Sequence, residues 1–113
     1  MYKNLKAAGV AFSLFLFSLA TPAQTSPLKV GFVYVAPLTE TGWVRQHEEG
    51  RKAVEAALNP GGAASKVQTT FVENVAEGPD AERVIRDLAR QGHRLIFTPS
   101  FGYMEPTLKV AAE

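Results

Sequence analysis

Lys29-Val-Gly-Phe-Val-Tyr-Val35, continuing through Ala36-Pro-Leu-Thr-Glu-Thr-Gly-Trp43, is the stretch that decides the fold. Its first half is apolar at consecutive positions, as expected of a strand covered on both faces in a parallel sheet. Its second half is a Pro- and Gly-punctuated turn that delivers Trp43 to the start of a helix. In an open α/β sheet, ligands bind at the carboxyl ends of the strands, and this turn lies at such an end.

Downstream, Trp43, His47, Gly50, Val54 and Ala57 recur at alternating spacings of four and three, which predicts an amphipathic helix over Val44 to Leu58 with that stripe turned inward. Arg45, Glu48, Glu49, Lys52 and Glu55 are assigned to its wet face. Gly50, on the inward stripe, would let the helix backbone approach the sheet. Asn59-Pro-Gly-Gly62 ends this helix. Val67 to Val72 alternates as a half-exposed edge strand. Pro79 and Asp80 open the most regular helix of the chain, in which Ala81, Val84, Ile85, Leu88 and Ala89 share a face and Glu82 pairs with Arg86 four residues on. Arg83, Arg86, Arg90 and Arg94 read as a solvated helix face and its exit. Leu95 to Thr98 predicts a third short strand, and Pro106 the first residue of a further helix.

The element order is strand, helix, strand, helix, strand, helix. Right-handed crossovers make the strands parallel, and the expected fold is α/β with strand order 2-1-3 and flanking helices. The loops Ala36 to Trp43, Asn74 to Gly78 and Pro99 to Glu105 then leave at one edge, with a crevice between the first and third as the natural site.

Ahead of this unit, Lys3 and Lys6 precede an apolar run from Ala7 to Ala20 and small residues around Ala20 and Ala23, the layout of a secretory signal. Cleavage is expected after Ala23, with Ala20 as the alternative, which divides the chain into a signal at 1–23 and a domain at 24–113. The other reading, a membrane anchor, meets an apolar stretch shorter than the roughly 20 residues that span a bilayer. Two of the twelve basic residues lie in the signal, leaving ten against eleven acidic ones and a mature charge of about −1. That balance excludes the strongly positive field of a nucleic-acid binder. The chain has no Cys, so disulfides, thiolate metal sites and a lipid-bearing cysteine are excluded.

Familiar catalytic and cofactor signatures are missing from the loops. Gly31 and Gly42 do not form a dinucleotide turn, no phosphate loop is present, and His47-Glu48 lacks the second histidine of a zincin helix because Arg51 stands there. Ser100 has no nucleophile elbow, and His47 and His93 fit no triad. A binding protein without cofactor or metal is therefore expected, not an enzyme. Trp43, Asn74, Phe101 and Tyr103 gather aromatic and amide groups where a ligand would lie, and suit a flat heterocycle. Two readings stay open for Trp43, stacking on a ligand or stapling the helix start, and Phe101 fits either site or core. His47 is read either as a packed histidine or as a donor to the crevice.

Taken in order, Lys29-Val-Gly-Phe-Val-Tyr-Val, Gly42-Trp43, Gln46-His47, Glu49-Gly50-Arg51, Phe71-Val-Glu-Asn-Val, Glu77-Gly-Pro-Asp-Ala-Glu-Arg83, Leu95-Ile-Phe-Thr and Ser100-Phe-Gly-Tyr103 resemble the basic membrane protein family of ABC-transporter substrate-binding proteins. The resemblance implies a type I periplasmic binding fold, in which two lobes close on a purine nucleoside or nucleobase and present it to a membrane permease. It implies that Trp43 stacks on the base, that Glu40 takes the acidic position of the first loop where an aspartate is expected, and that Phe101, Gly102 and Tyr103 are third-loop contacts. The missing lipid-attachment Cys departs from the family and points to a free periplasmic form, and since the resemblance reaches only the start of the first lobe, the chain reads as a truncated product or fragment. The competing expectations are an extracytoplasmic sensing or interaction domain of the same fold, and a flavodoxin-like or hydrolase-type enzyme.

Overall fold

A computed structural model of the chain describes residues 26–62 and 66–113. The signal segment at 1–23 and its cleavage points lie outside the described residues. The elements are β1 (Leu28–Val33), α1 (Trp43–Leu58), β2 (Val67–Val72), α2 (Pro79–Arg90), β3 (Leu95–Phe97), a 3-10 turn (Phe101–Tyr103) and α3 (Met104–Ala111). The strands form one parallel sheet in the order β2-β1-β3, as the sequence predicts. Phe32 is the register mark, facing Phe71 of β2 and Phe97 of β3.

β1 is buried from Val30 onward because both its faces are covered. On one side Val33 joins Ala81, Val84, Ile85 and Leu88 of α2, with Val75 and Tyr103. On the other, Val30, Phe32 and Tyr34 pack with Val44 of α1 and Val67 of β2. The Val, Ile, Leu and Phe side chains among these contribute on the order of 1.5 to 3 kcal/mol each when fully withdrawn from water. Gly31 sits under α2, where an added Cβ would stand 3.0 Å from a Leu88 methyl. Strand pairing stops two residues earlier than the sequence suggests. Past Val33 the chain bends towards Pro37, and the carbonyls of Tyr34 and Ala36 accept from Val75 and Asn74 instead.

α2 behaves as its pattern predicts, except that Ala89 is exposed. Arg86 is not simply solvated: its guanidinium lies between Glu82 at 2.8 Å and Glu113 at 2.5 Å, while Lys109 reaches Glu82 at 2.9 Å. These pairs tie α2 to α3. α3 starts at Met104, two residues before Pro106, directly off the 3-10 turn. Pro106 still falls in the first turn, where its missing N–H interrupts no helical bond.

α1 is rotated from expectation. Its buried residues are Val44 and Glu48, while Trp43, Gly50, Val54 and Ala57 are exposed and His47 is half-buried. Gly50 has no heavy atom within 4 Å of an added Cβ, so it permits no close approach to the sheet. The reason is a polar network beneath the helix. Glu48, 1% exposed, accepts from the Tyr34 hydroxyl at 3.0 Å and from Arg51 at 2.6 and 2.8 Å. Arg51 also donates to Glu55 and to Thr69 of β2 and lies 5.2 Å from the centre of the Phe71 ring. Every charge and hydroxyl in the network has a partner, which is the condition under which burying it is tolerable. The Arg51 hydrogen bonds hold the Glu48 carboxyl below its usual range against the opposing effect of burial. Burial, reinforced by Glu48, pushes the Tyr34 hydroxyl up.

Removing one side of this pair leaves the other buried without a counter-charge. Arg51→Ala is expected to cost about 3 kcal/mol in urea unfolding, and Glu48→Leu combined with Arg51→Leu to cost less than Arg51→Ala alone. A group whose folded value is depressed stabilises the protein above its unfolded value, and that contribution disappears as pH falls through the folded one. Stability is therefore expected to drop as pH falls below the ordinary carboxyl value of 4.5, with the drop reduced in Glu48→Gln, as read from thermal melts against pH.

Candidate functional site at the carboxyl edge of the sheet

Parallel pairing sends three loops, 34–42, 73–78 and 98–100, out at the carboxyl ends of β1, β2 and β3. Each is bonded to the other two. The second loop holds the first through the Leu38 N–H, which donates to Glu73 at 2.5 Å, and through the Asn74 N–H, which donates to the Ala36 carbonyl at 3.2 Å. Asn74 has φ 55°, a left-handed conformation that asparagine adopts more readily than most residues. The second loop holds the third through Glu77, which accepts from the Ser100 hydroxyl at 2.5 Å and from the Gly102 N–H at 3.1 Å. A Cβ on Gly102 would collide with that carboxylate, so the close approach depends on glycine. The first loop meets the third where the Trp43 indole N–H donates to the Pro99 carbonyl at 2.7 Å.

The last contact builds an open apolar groove of about 520 Å³ lined by Trp43, Pro99, Ser100, Phe101 and Met104. Trp43 is 63% exposed and Phe101 100% exposed, so neither ring is held in the core. The His47 ring meets Trp43 edge-on, with centroids 4.8 Å apart, and limits the poses the indole can take. The groove's polar atoms are already used, since the Pro99 carbonyl serves Trp43 and the Ser100 hydroxyl serves Glu77. What faces outward is chiefly aromatic and apolar surface, suited to a flat ring. A depression of about 570 Å³ between α2 and α3 lies to the side, and the Glu82–Lys109 ion pair contributes to its lining.

The structure brings together Trp43 and Phe101, with His47 against the indole, while Gly102 does not line the groove and its N–H serves Glu77. It separates the others. Tyr103 is 0% exposed, and its hydroxyl donates to the Val75 carbonyl at 2.6 Å, so its side chain is a core group and not a groove contact. Burial pushes that hydroxyl up to about 12. Asn74 and Glu40 are exposed on their loops but do not line the groove. Sequence reasoning did not single out Pro99, Met104, Glu73 or Glu77. A glycine placed between two aromatics at Gly102 was the available signal for a close neighbour there. Among the described residues no cluster of three or more His, Asp or Glu side chains is arranged to hold a metal ion.

The contrast between adjacent aromatics is measurable. Phe101→Ala is expected to change unfolding free energy by less than about 0.5 kcal/mol, since the ring touches little. Tyr103→Phe, which leaves the Val75 carbonyl without its partner, is expected to cost about 1 to 3 kcal/mol in the same urea titration.

No protein-family model matches the chain. Over 84 residues, 74% of the chain, it is 57% identical to a purine-binding protein of Brucella abortus, of which this covers 23%. Over 92 residues, 81% of the chain, it is 28% identical to a putative ABC-transporter glucose-binding protein of Haloferax volcanii, of which this covers 22%. The chain thus spans about a quarter of the length of these curated relatives. With the strand order expected of the fold and this identity across most of its length, the chain is similar to part of a substrate-binding protein of the basic-membrane-protein-like kind.

Proposed function

We propose that this chain contributes the first-lobe wall of an extracytoplasmic solute-binding site for purine nucleosides or nucleobases, in a protein that delivers its ligand to an ABC permease. The observation that carries the reading is the Trp43–Pro99 hydrogen bond, which fixes an exposed indole beside Phe101 at the strand edge. In this reading the base lies against Trp43, with Phe101 beside it and His47 steadying the indole. Glu40 and Asn74 are outer-loop groups able to meet the sugar or the base edge. The name of the Brucella relative supports a purine, and the signal-like segment supports a periplasmic location with residues 24–113 as the exported domain.

One wall gives little affinity. An aromatic stack contributes about 1 to 3 kcal/mol, whereas micromolar binding requires about 8 kcal/mol. The chain by itself is therefore expected to bind adenosine or guanosine no tighter than the millimolar range, and submicromolar affinity by calorimetry would contradict a single-walled site.

The chain has one Trp, so the only indole N–H resonance in a nitrogen-correlated spectrum belongs to Trp43. Adenosine and guanosine at about 10 mM are expected to move that resonance, with D-glucose moving it less. A shift with glucose and none with either purine would replace the reading by a sugar site. No shift with any of them would remove Trp43 from ligand binding altogether.

A further inference from the structure

The three exit loops carry Glu40, Glu73 and Glu77, and no Lys, Arg or His. Arg45, in the first turn of α1, is already engaged with the Thr39 carbonyl at 2.7 Å and Glu49 at 3.3 Å. The edge beside the groove is thus negative, and the exposed Glu77 is the charge bonded to the groove's third loop. That carboxylate takes the Ser100 hydroxyl and the Gly102 N–H, two donors an incoming anion could otherwise use, and Gly102 provides the space it sits in. Ser100 itself lines the groove, so the charge is one hydrogen bond away from the ligand surface.

Building on the purine reading, we propose that Glu77 is a specificity-determining residue: it fills the donor pair of the third loop with the protein's own carboxylate, so that the groove accepts uncharged nucleosides and rejects phosphorylated ones. Two effects act together. A phosphate arriving near Ser100 finds its donors occupied, and it meets a like charge at short range. The glycine that admits the carboxylate belongs to the same device.

The test compares adenosine with adenosine 5′-monophosphate, read by the Trp43 indole resonance in the intact chain. The wild type is expected to favour adenosine by about tenfold or more, equivalent to about 1.4 kcal/mol. In Glu77→Gln, whose amide oxygen can still accept from Ser100 and Gly102, the ratio is expected to fall to about threefold or less. Inorganic phosphate supplies a readout that does not depend on purine binding. It is expected to shift the Gly102 amide resonance in Glu77→Ala, where the donors are free, and not in the wild type. An unchanged ratio in Glu77→Gln, a wild type that does not discriminate, or a Gly102 amide indifferent to phosphate in Glu77→Ala each overturns the proposal. Adenosine failing to move Trp43 in every form overturns the purine reading and this inference with it, whereas adenosine binding without discrimination overturns this inference alone.

Discussion

The parallel pairing of β1 with a neighbour on each side is the constraint from which the rest follows. Because Phe32 faces both Phe71 and Phe97 in register, the strands end at one level and their loops must leave side by side. An antiparallel neighbour would have sent one loop to the opposite edge, and Trp43 could not have reached Pro99. The site exists because of where β1 lies, before any particular side chain is considered. The loops then lock one another: Glu73 and Glu77, four residues apart in one loop, hold the first and third loops through backbone N–H groups. Carboxylate to N–H bonds are charge-assisted and position a loop more firmly than apolar contact does.

The attachment of α1 shows a different balance. A helix with Trp43, Val54 and Leu58 on one flank has an apolar surface available for the sheet, yet it docks through Glu48 and Arg51. Tyr34 decides this. Its ring is buried against the sheet, and its hydroxyl must find a partner there, so the helix presents Glu48 to it and Arg51 neutralises the charge. The apolar flank is left exposed, as are Leu95 and Phe97 of β3.

This also explains which parts of the molecule were legible in the sequence. α2 was read correctly because its burial follows apolarity: Val84, Ile85 and Leu88 have no polar atoms to satisfy, so period and burial coincide. The strand order was readable because crossover handedness leaves few arrangements for three strands joined by helices. α1 was misread because no periodicity measure marks Glu48 as buried; its burial depends on Tyr34 and Arg51 being opposite it in space. Tyr103 illustrates the same limit at the site. Next to Phe101 in a short aromatic run it looks like a surface group, but alternate residues of a 3-10 turn face different ways, and Val75 supplies a carbonyl that makes the buried hydroxyl affordable.

The groove's chemistry is set more by what its polar atoms are already doing than by which residues line it. A serine and a main-chain carbonyl at a ligand surface would ordinarily add hydrogen-bonding capacity, but here Ser100 and Pro99 are committed to Glu77 and Trp43. Committed donors and acceptors do not compete for ligand; the Trp43–Pro99 bond holds the indole in one orientation, while the Phe101 ring stands fully exposed. If a nucleoside is the ligand, discrimination by hydrogen bonds to its base or sugar would have to come from groups outside this groove, because rings alone distinguish flat from non-flat ligands and little else. On the proposed reading, this edge would contribute stacking and charge exclusion and leave directional contacts to groups beyond the groove.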